Sequence, residues 1–187
     1  MAQPGGTGPV GPFPPGVDGD DARDEYDKRR RRVLWKMPSG LYVLGSTDGA
    51  DRRNGMTINW VTQVTFEPKL VAVSIEQAAF THDLVSASRV FSLNFISTED
   101  RAIVRKFTKP VEVDLAVPTL NGFPFHAGVT GAPILDQAVA YVDCEVRHQL
   151  DLGDHTLFVG EIVDAAFQAD EDTSVLEMSD TRMNYGG

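Results

Sequence analysis

Beyond residue 40, the apolar positions fall in short runs with the two-residue period of β-strands. Leu70–Glu76 reads LVAVSIE, a nearly continuous apolar run that is typical of a strand buried on both faces. Two long strands are predicted at Ala138–Asp151 and His155–Phe167, and the Leu152-Gly153-Asp154 segment between them predicts a hairpin turn. The remaining predicted strands are Leu41–Thr47, Gly55–Phe66, Val90–Ile96 and Val175–Met178.

The sequence predicts only a few helices. We predict one over residues 24–37, a short one at Thr81–Ser88, and a third that begins at the capping residue Ser97 and runs to about Phe107. Residues 109–134 contain many prolines and glycines and predict a long irregular excursion. The expected fold is therefore mainly β with a few helices, and closure of the antiparallel strands into a β-barrel would hide their edges.

The N-terminal residues have a different character. Residues 1–23 are rich in proline and glycine and almost devoid of large apolar side chains. Such a segment cannot bury enough surface to offset its ordering entropy, so we expect a disordered tail followed by one domain over residues 24–187. Residues 28–32 read KRRRR after the acidic residues 24–27, an order that favours a solvated helix face over a nucleic-acid patch.

Composition narrows the functional classes. The 187 residues carry a formal net charge of −10, which argues against a nucleic-acid partner because phosphate binding needs a broad basic surface. Cys144 is the single cysteine, so we expect no disulfide and no cysteine-rich metal site. The four histidines lack metal-ligand spacing, and no run reaches the ~18 apolar residues of a membrane helix. We expect a cytoplasmic protein without a metal or a membrane partner.

Three segments carry a family resemblance. Gly55–Pro68 reads GMTINWVTQVTFEP, Val90–Phe95 reads VFSLNF, and Gly153–Glu161 reads GDHTLFVGE. In this order they resemble the GMT strand, the F-x-V-N-x-L strand and the GDHTLFVGEV hairpin of the flavin reductase family. The resemblance covers about residues 28–187. It implies an antiparallel split barrel that binds FMN, usually as a homodimer, with NADH or NADPH as the electron donor.

The resemblance also implies a site. It places the flavin ring and ribityl chain along residues 56–62, the phosphate near the helix start at Thr81, and the nicotinamide near His155, the candidate catalytic residue. A helix N-terminus attracts phosphate on independent physical grounds. Tyr185 is a further candidate contributor from the C-terminus. The candidate cofactor-binding residues are Met56, Thr57, Ile58, Asn59, Trp60, Val61, Thr62, Thr81, His82, Asn94 and Phe95.

Taken singly, several of these residues have a purely structural interpretation. Trp60 and Phe95 are also typical of a hydrophobic core. The side chains of Thr57, Asn59 and Asn94 can pair with strand backbone instead of a ligand. Both interpretations stay open on the sequence alone.

One departure from the family pattern concerns charge at the phosphate. The loop at residues 76–80 reads EQAAF, without the basic residue that the family often carries there. A carboxylate near a phosphate costs binding energy unless a cation offsets it. The cations that can supply this charge are His82, Arg89, Arg105 and Lys106, and without one of them FMN binds weakly or the ligand is another flavin, such as FAD.

The sequence therefore predicts an NAD(P)H-dependent flavin reductase. Hydride would pass from the nicotinamide to FMN or FAD, and the reduced flavin would serve a monooxygenase partner or another acceptor. Two alternatives use the same barrel. One is a non-enzymatic FMN-binding electron-transfer protein of the flavoredoxin type, and the other is a relative that holds a deazaflavin or haem.

Overall fold

The computed structural model describes residues 12–109 and 111–181. These residues divide into two compact units, which meet in sequence between residues 38 and 39. The first unit contains helix α1 (Asp20–Leu34), which begins at Asp20 rather than at the predicted residue 24. No residue of α1 is buried, so its basic run lies on a surface helix, as the order of charges predicts. Residues 1–11 of the predicted tail lie outside the described part of the chain.

The second unit is built on a seven-stranded antiparallel sheet. The strands, in spatial order, are β2 (Arg53–Ile58), β1 (Tyr42–Thr47), β5 (Val90–Phe95), β10 (Ala140–Asp151), β11 (His155–Phe167), β4 (Leu70–Glu76) and β3 (Val61–Thr65). Register shifts interrupt the long β10–β11 pairing at two places, Asp143/Cys144 and Val146/His148. Such bulges bend a strand and help a sheet to curl.

Smaller elements complete this unit. The predicted excursion contains a four-stranded sheet of β6 (Val113–Asp114), β7 (Thr119–Leu120), β8 (Phe123–Ala127) and β9 (Pro133–Leu135). The helices are α2 (Phe80–Ser88) and α3 (Ile103–Lys106), with 3-10 turns at Thr98–Asp100 and Met178–Asp180. The expectation of a mainly β fold with a few helices is confirmed. No helix in the described ranges is long and apolar enough to cross a bilayer.

The two edge strands of the large sheet, β2 and β3, are consecutive in the chain and joined only by Asn59 and Trp60. Three Cα–Cα steps span at most about 11 Å, whereas the edges of a flat seven-stranded sheet would lie roughly 29 Å apart. The sheet must therefore curl until its edges approach each other. Since β2 and β3 do not pair with each other, the barrel stays open along this line, which we call the seam.

Two strand predictions and one helix prediction were wrong in detail. The single strand predicted at Gly55–Phe66 is two strands at opposite edges of the sheet, because the chain crosses the seam in the middle of that apolar pattern. The predicted strand Val175–Met178 is reduced to isolated bridges, Ser97 with Val175 and Gly40 with Glu177. The helix predicted up to Phe107 is a 3-10 turn followed by the four-residue α3.

Two apolar clusters fill the second unit. One surrounds α3 and includes Val104 and Phe107, and the other lies within the large sheet and includes Ile58, Phe91 and Phe158. Cys144 belongs to the second cluster and is fully buried. Burial, and next the charge of Asp143, raise the pKa of the Cys144 thiol, so the thiol stays protonated and inert.

Candidate functional site

Asn59 and Trp60, the two residues that cross the seam, differ in burial. Asn59 is buried, and its Nδ2 lies 3.5 Å from Ser39 Oγ. Trp60 is 37% exposed, and its backbone carbonyl accepts a hydrogen bond of 3.1 Å from the amide of Ser74 on β4. The Trp60 ring lies against the His155 ring, with centroids 4.9 Å apart and planes inclined by 50°. The crossing thus presents an aromatic surface beside the first residue of β11.

His155 is positioned by the hairpin that precedes it. Its Nδ1 lies 3.0 Å from Asp154 Oδ1, and its side chain is 14% exposed. The hydrogen bond from His155, and next the histidine charge, lower the pKa of the exposed Asp154 carboxyl. A carboxylate at Nδ1 fixes the orientation of an imidazole ring, so His155 is held between Asp154 and Trp60.

A polar network lies at the start of α2. His82 Nε2 lies 2.9 Å from Thr156 Oγ1, and Gln77 Nε2 donates to the same hydroxyl at 3.4 Å. Asn54 lies on the edge strand β2, and its Nδ2 donates a hydrogen bond of 2.8 Å to Thr81 Oγ1 on α2. Sequence reasoning did not assign Asn54, Gln77 or Thr156. Two of them had a signal, because Asn54 precedes the GMT motif and Thr156 belongs to the GDHT hairpin.

These contacts join residues from four elements into one continuous border. Asn54 contacts Thr81, and His82, the next residue after Thr81, contacts Thr156. His155, the residue before Thr156, contacts Trp60, which follows β2 in the chain. We call this set the seam rim. Its members are Asn54, Trp60, Thr81, His82, His155 and Thr156. Four of the predicted site residues therefore lie together around the seam.

Most of the predicted site side chains on β2 and β3, the strands on either side of the crossing, point into the protein. Thr57 donates from its hydroxyl to the carbonyl of Val104, and its amide donates to Phe107 O at 3.0 Å. Ile58 is buried in the large-sheet cluster, against which Met56 and Val61 also pack with partly buried side chains. Thr62 is exposed and bonds to the carbonyl of Gln63. From residues 56–58 a ligand at the seam would meet mainly backbone.

Asn94 and Phe95 lie away from the seam rim. Asn94 is fully buried; its Nδ2 donates to Val43 O at 3.0 Å, and its Oδ1 accepts from Leu135 N at 2.7 Å. Phe95 packs edge-on against Tyr42, with centroids 5.2 Å apart. Strand β1 separates both residues from β2 by about 10 Å. The amide of Asn94 thus ties three strands together through their backbone.

Positive charge is scarce at the start of α2. The helix has no side-chain cap at Ala79, and an acid, Asp83, stands in its first turn. Arg89 lies at the opposite end, where it bonds to Gln149; a nine-residue helix is about 13 Å long. Arg105 lines a different cavity beside α3. Among the cations considered from the sequence, only His82 stands in the first turn of this helix.

Two further sequence expectations concern residues outside this network. Within the described ranges, no group of three or more His, Cys, Asp or Glu side chains is arranged to hold a metal ion. Tyr185 lies outside the described residues.

Comparison with known proteins identifies the family. The model of the flavin reductase like domain matches residues 34–187, most of the chain. The chain belongs to the flavin reductase-like family. Its large sheet with an open seam is accordingly the split barrel expected from the sequence motifs, and the family match includes every member of the seam rim.

Named relatives fall in the same group. The ferric-chelate reductase (NAD(P)H) of Archaeoglobus fulgidus is 34% identical over 159 residues, which cover 83% of this chain and 90% of that protein. The NADH-dependent FAD reductase of Streptomyces globisporus is 31% identical, covering 72% and 73%. The stachydrine N-demethylase reductase subunit Stc3 of Rhizobium meliloti is 28% identical; the match covers 74% of this chain but only 59% of that protein.

Solved structures of this flavin reductase-like family share the fold. The flavin reductase PheA2 has a TM-score of 0.67 and 28% identity, covering 81% of this chain and 92% of that one. The FMN-binding protein from Thermus thermophilus, with bound p-hydroxybenzaldehyde, has a TM-score of 0.62 and 31% identity, covering 71% and 73%.

A substitution of Asn94 tests whether this predicted site residue stabilises the fold or binds the flavin. In Asn94→Ala, the amide of Leu135 loses its acceptor and the carbonyl of Val43 loses one hydrogen bond, both inside the protein. Each unsatisfied group costs about 1–3 kcal/mol, so we expect urea denaturation of the flavin-free variant to show a loss of at least about 2 kcal/mol. The exposed Gln63→Ala serves as a control and should change stability by less than about 0.5 kcal/mol. Unchanged stability together with weakened flavin binding would instead make Asn94 a ligand residue.

Proposed function

We propose that this protein is an NAD(P)H-dependent flavin reductase that binds FMN or FAD at the seam rim. The observation that carries the proposal is the contact of Trp60 with His155, 4.9 Å between ring centroids, where the two edge strands meet. In a member of this family, that place combines an aromatic surface, an oriented imidazole and the start of a helix. The ferric-chelate reductase and FAD reductase names of the relatives support the same activity.

The residues present fit a flavin. A flavin has a flat apolar ring, a polar edge and an anionic tail. Trp60 offers the ring an apolar surface, and the backbone of residues 56–62 offers fixed hydrogen-bonding groups to its polar edge. The uncapped start of α2, with Thr81 and His82 in its first turn, suits the phosphate. Asn94 and Phe95 hold strand β5 in this proposal and do not contact the flavin.

Each side chain of the rim then has a role. A bound flavin would supply the redox chemistry that links oxidation of the nicotinamide donor to reduction of the acceptor. His155, oriented by Asp154, positions the nicotinamide and keeps water out beside Trp60. Thr156 and Asn54 hold His82 and Thr81 in place, so the first turn of α2 is fixed before the ligand arrives.

The reductase and the electron-transfer alternative differ in one reaction. We expect NADH or NADPH, added anaerobically to the flavin-loaded protein in a stopped-flow instrument, to abolish the visible absorbance of the oxidised flavin. A hydride donor must reach the flavin directly for this to occur. If neither donor bleaches the bound flavin, the reductase proposal is wrong and the electron-transfer alternative is favoured. A visible spectrum of deazaflavin or haem would identify the third class.

The same measurement tests His155. In His155→Ala, the nicotinamide loses its positioning group, so we expect bleaching about tenfold slower or more, with flavin affinity little changed. His126→Ala is a matched control, because His126 also faces a carboxylate, Asp136, at 2.8 Å but stands on β8 outside the rim. Equal rates in the wild type and the His155 variant would remove this residue from the site.

We further propose a homodimer that covers the exposed edge at β3. Val64 on β3 and Phe66 immediately after it are 47% and 90% exposed, and exposed apolar patches are typical of interaction surfaces. Two-fold pairing is the commonest solution. Light scattering after size exclusion should give a dimer, which Phe66→Asp weakens and the exposed Val129→Asp does not. A wild-type monomer at micromolar concentration would contradict the proposal.

The acceptor of the electrons and the location are proposals of the same kind. The acceptor we propose is a monooxygenase; the relative named as the reductase subunit of a demethylase supports a partner enzyme that takes the electrons. A cytoplasmic location suits the nicotinamide donor, which is available there, and the buried free thiol of Cys144 suits a reducing compartment.

A further inference from the structure

A cavity outside the seam rim lies beside α3. It encloses about 460 Å³ and is lined by Arg101, Ala102, Arg105, Asp180 and Thr181. This volume lies within the range of about 300–1,000 Å³ of ligand pockets and is larger than a single phosphate requires. The described lining includes no member of the seam rim.

The local backbone explains why two arginines meet there. Arg101 and Ala102 have right-handed helical dihedral angles between the 3-10 turn and α3, so Arg101 and Arg105 are four helical residues apart. Residues at this spacing lie on the same helix face. Val104 and Phe107 are buried on the other side and accept the hydrogen bonds from Thr57, which fix the element against β2.

The charge at this cavity is opposite to that of the whole chain. Residues 101–109 contain four basic residues and no acid, in a protein of net charge −10. Neither arginine of the cavity forms an ion pair within the part of the chain that the structure describes. Guanidinium groups are well suited to phosphate oxygens because they donate two parallel hydrogen bonds.

Asp180 adds a second kind of group. Its Oδ2 accepts from the amide of Glu177 at 2.9 Å, and a carboxylate has further acceptor capacity for hydroxyl or amino groups. A bare phosphate would meet repulsion from this carboxylate. A nucleotide instead places phosphates on the arginines and a ribose hydroxyl or amino group on the acid, as acids do in dinucleotide folds.

We propose that this cavity binds the adenosine monophosphate (AMP) half that FAD and NADH share. The proposal rests on the proposed function, since that function supplies these two dinucleotides as cofactor and donor. FMN lacks this half and binds without using the cavity. Arg101 and Arg105 hold the AMP phosphate, and Asp180 accepts from the sugar or the base.

The first test uses ADP alone on the flavin-free full-length chain, by isothermal titration calorimetry. We expect ADP to bind and the affinity to fall about tenfold or more in Arg101→Gln and in Arg105→Gln, each of which loses a charge-assisted hydrogen bond. Lys109→Gln removes a charge from the same basic segment outside the cavity lining and should change the affinity less than about twofold. ADP that fails to bind, or binds all variants equally, overturns the proposal.

The second test identifies which dinucleotide, FAD or NADH, supplies the AMP half. If the Arg101 and Arg105 variants bind FAD more weakly but bind FMN with unchanged affinity, the cavity holds the AMP half of FAD. An arginine dependence of the KM for NADH, with FMN and FAD affinities unchanged, assigns it to the donor. Equal weakening of FMN and FAD would show that the arginines hold the flavin's own phosphate and would contradict the proposal. ADP binding needs no turnover, so an arginine-dependent affinity supports the cavity even in a protein that no donor bleaches.

Discussion

The two-residue crossing at Asn59 and Trp60 is the constraint on which the rest of the second unit depends. Because so short a link joins the first and last strands of a seven-stranded sheet, the sheet has to curl, and β2 and β3 meet without pairing. An opening is therefore built into the barrel wall. The hydrogen bond from Ser74 to Trp60 O anchors the crossing to β4, while Thr57 anchors β2 to α3.

The crossing also determines where we propose that the flavin binds. Strand ends, the β10–β11 hairpin and the start of α2 converge on the opening, and each contributes polar or aromatic groups to the seam rim. The acids near it, such as Asp83 and Asp154, leave little positive charge for an anionic tail. Arg101 and Arg105, which form no ion pair within the described residues, instead line the cavity beside α3.

Local pattern predicted part of this structure well. The bounds of β4 and β11 agree with the sequence prediction, because an apolar run and a glycine-containing turn are local signals. His155 and Thr81 were found through motifs that place them on a hairpin and a helix start. The crossing was not predicted, since residues 55–66 read as one strand and only the distant partners β1 and β4 reveal the break.

Side-chain roles depended on contacts distant in the chain. Asn94 stands in a family motif, yet its amide is used by Val43 and Leu135, which lie 51 and 41 residues away. The pairing of Arg101 with Arg105 around one cavity also required the fold, because the sequence does not place Asp180 next to α3. Periodicity identifies which residues are buried or exposed, but it does not identify which of them meet.

The most direct measurement is a crystal structure of the protein with FMN bound. The account predicts the ring at the seam, against the backbone of residues 56–62 and beside Trp60 and His155. An FMN located elsewhere on the barrel, with the seam filled by the protein's own side chains, would contradict it.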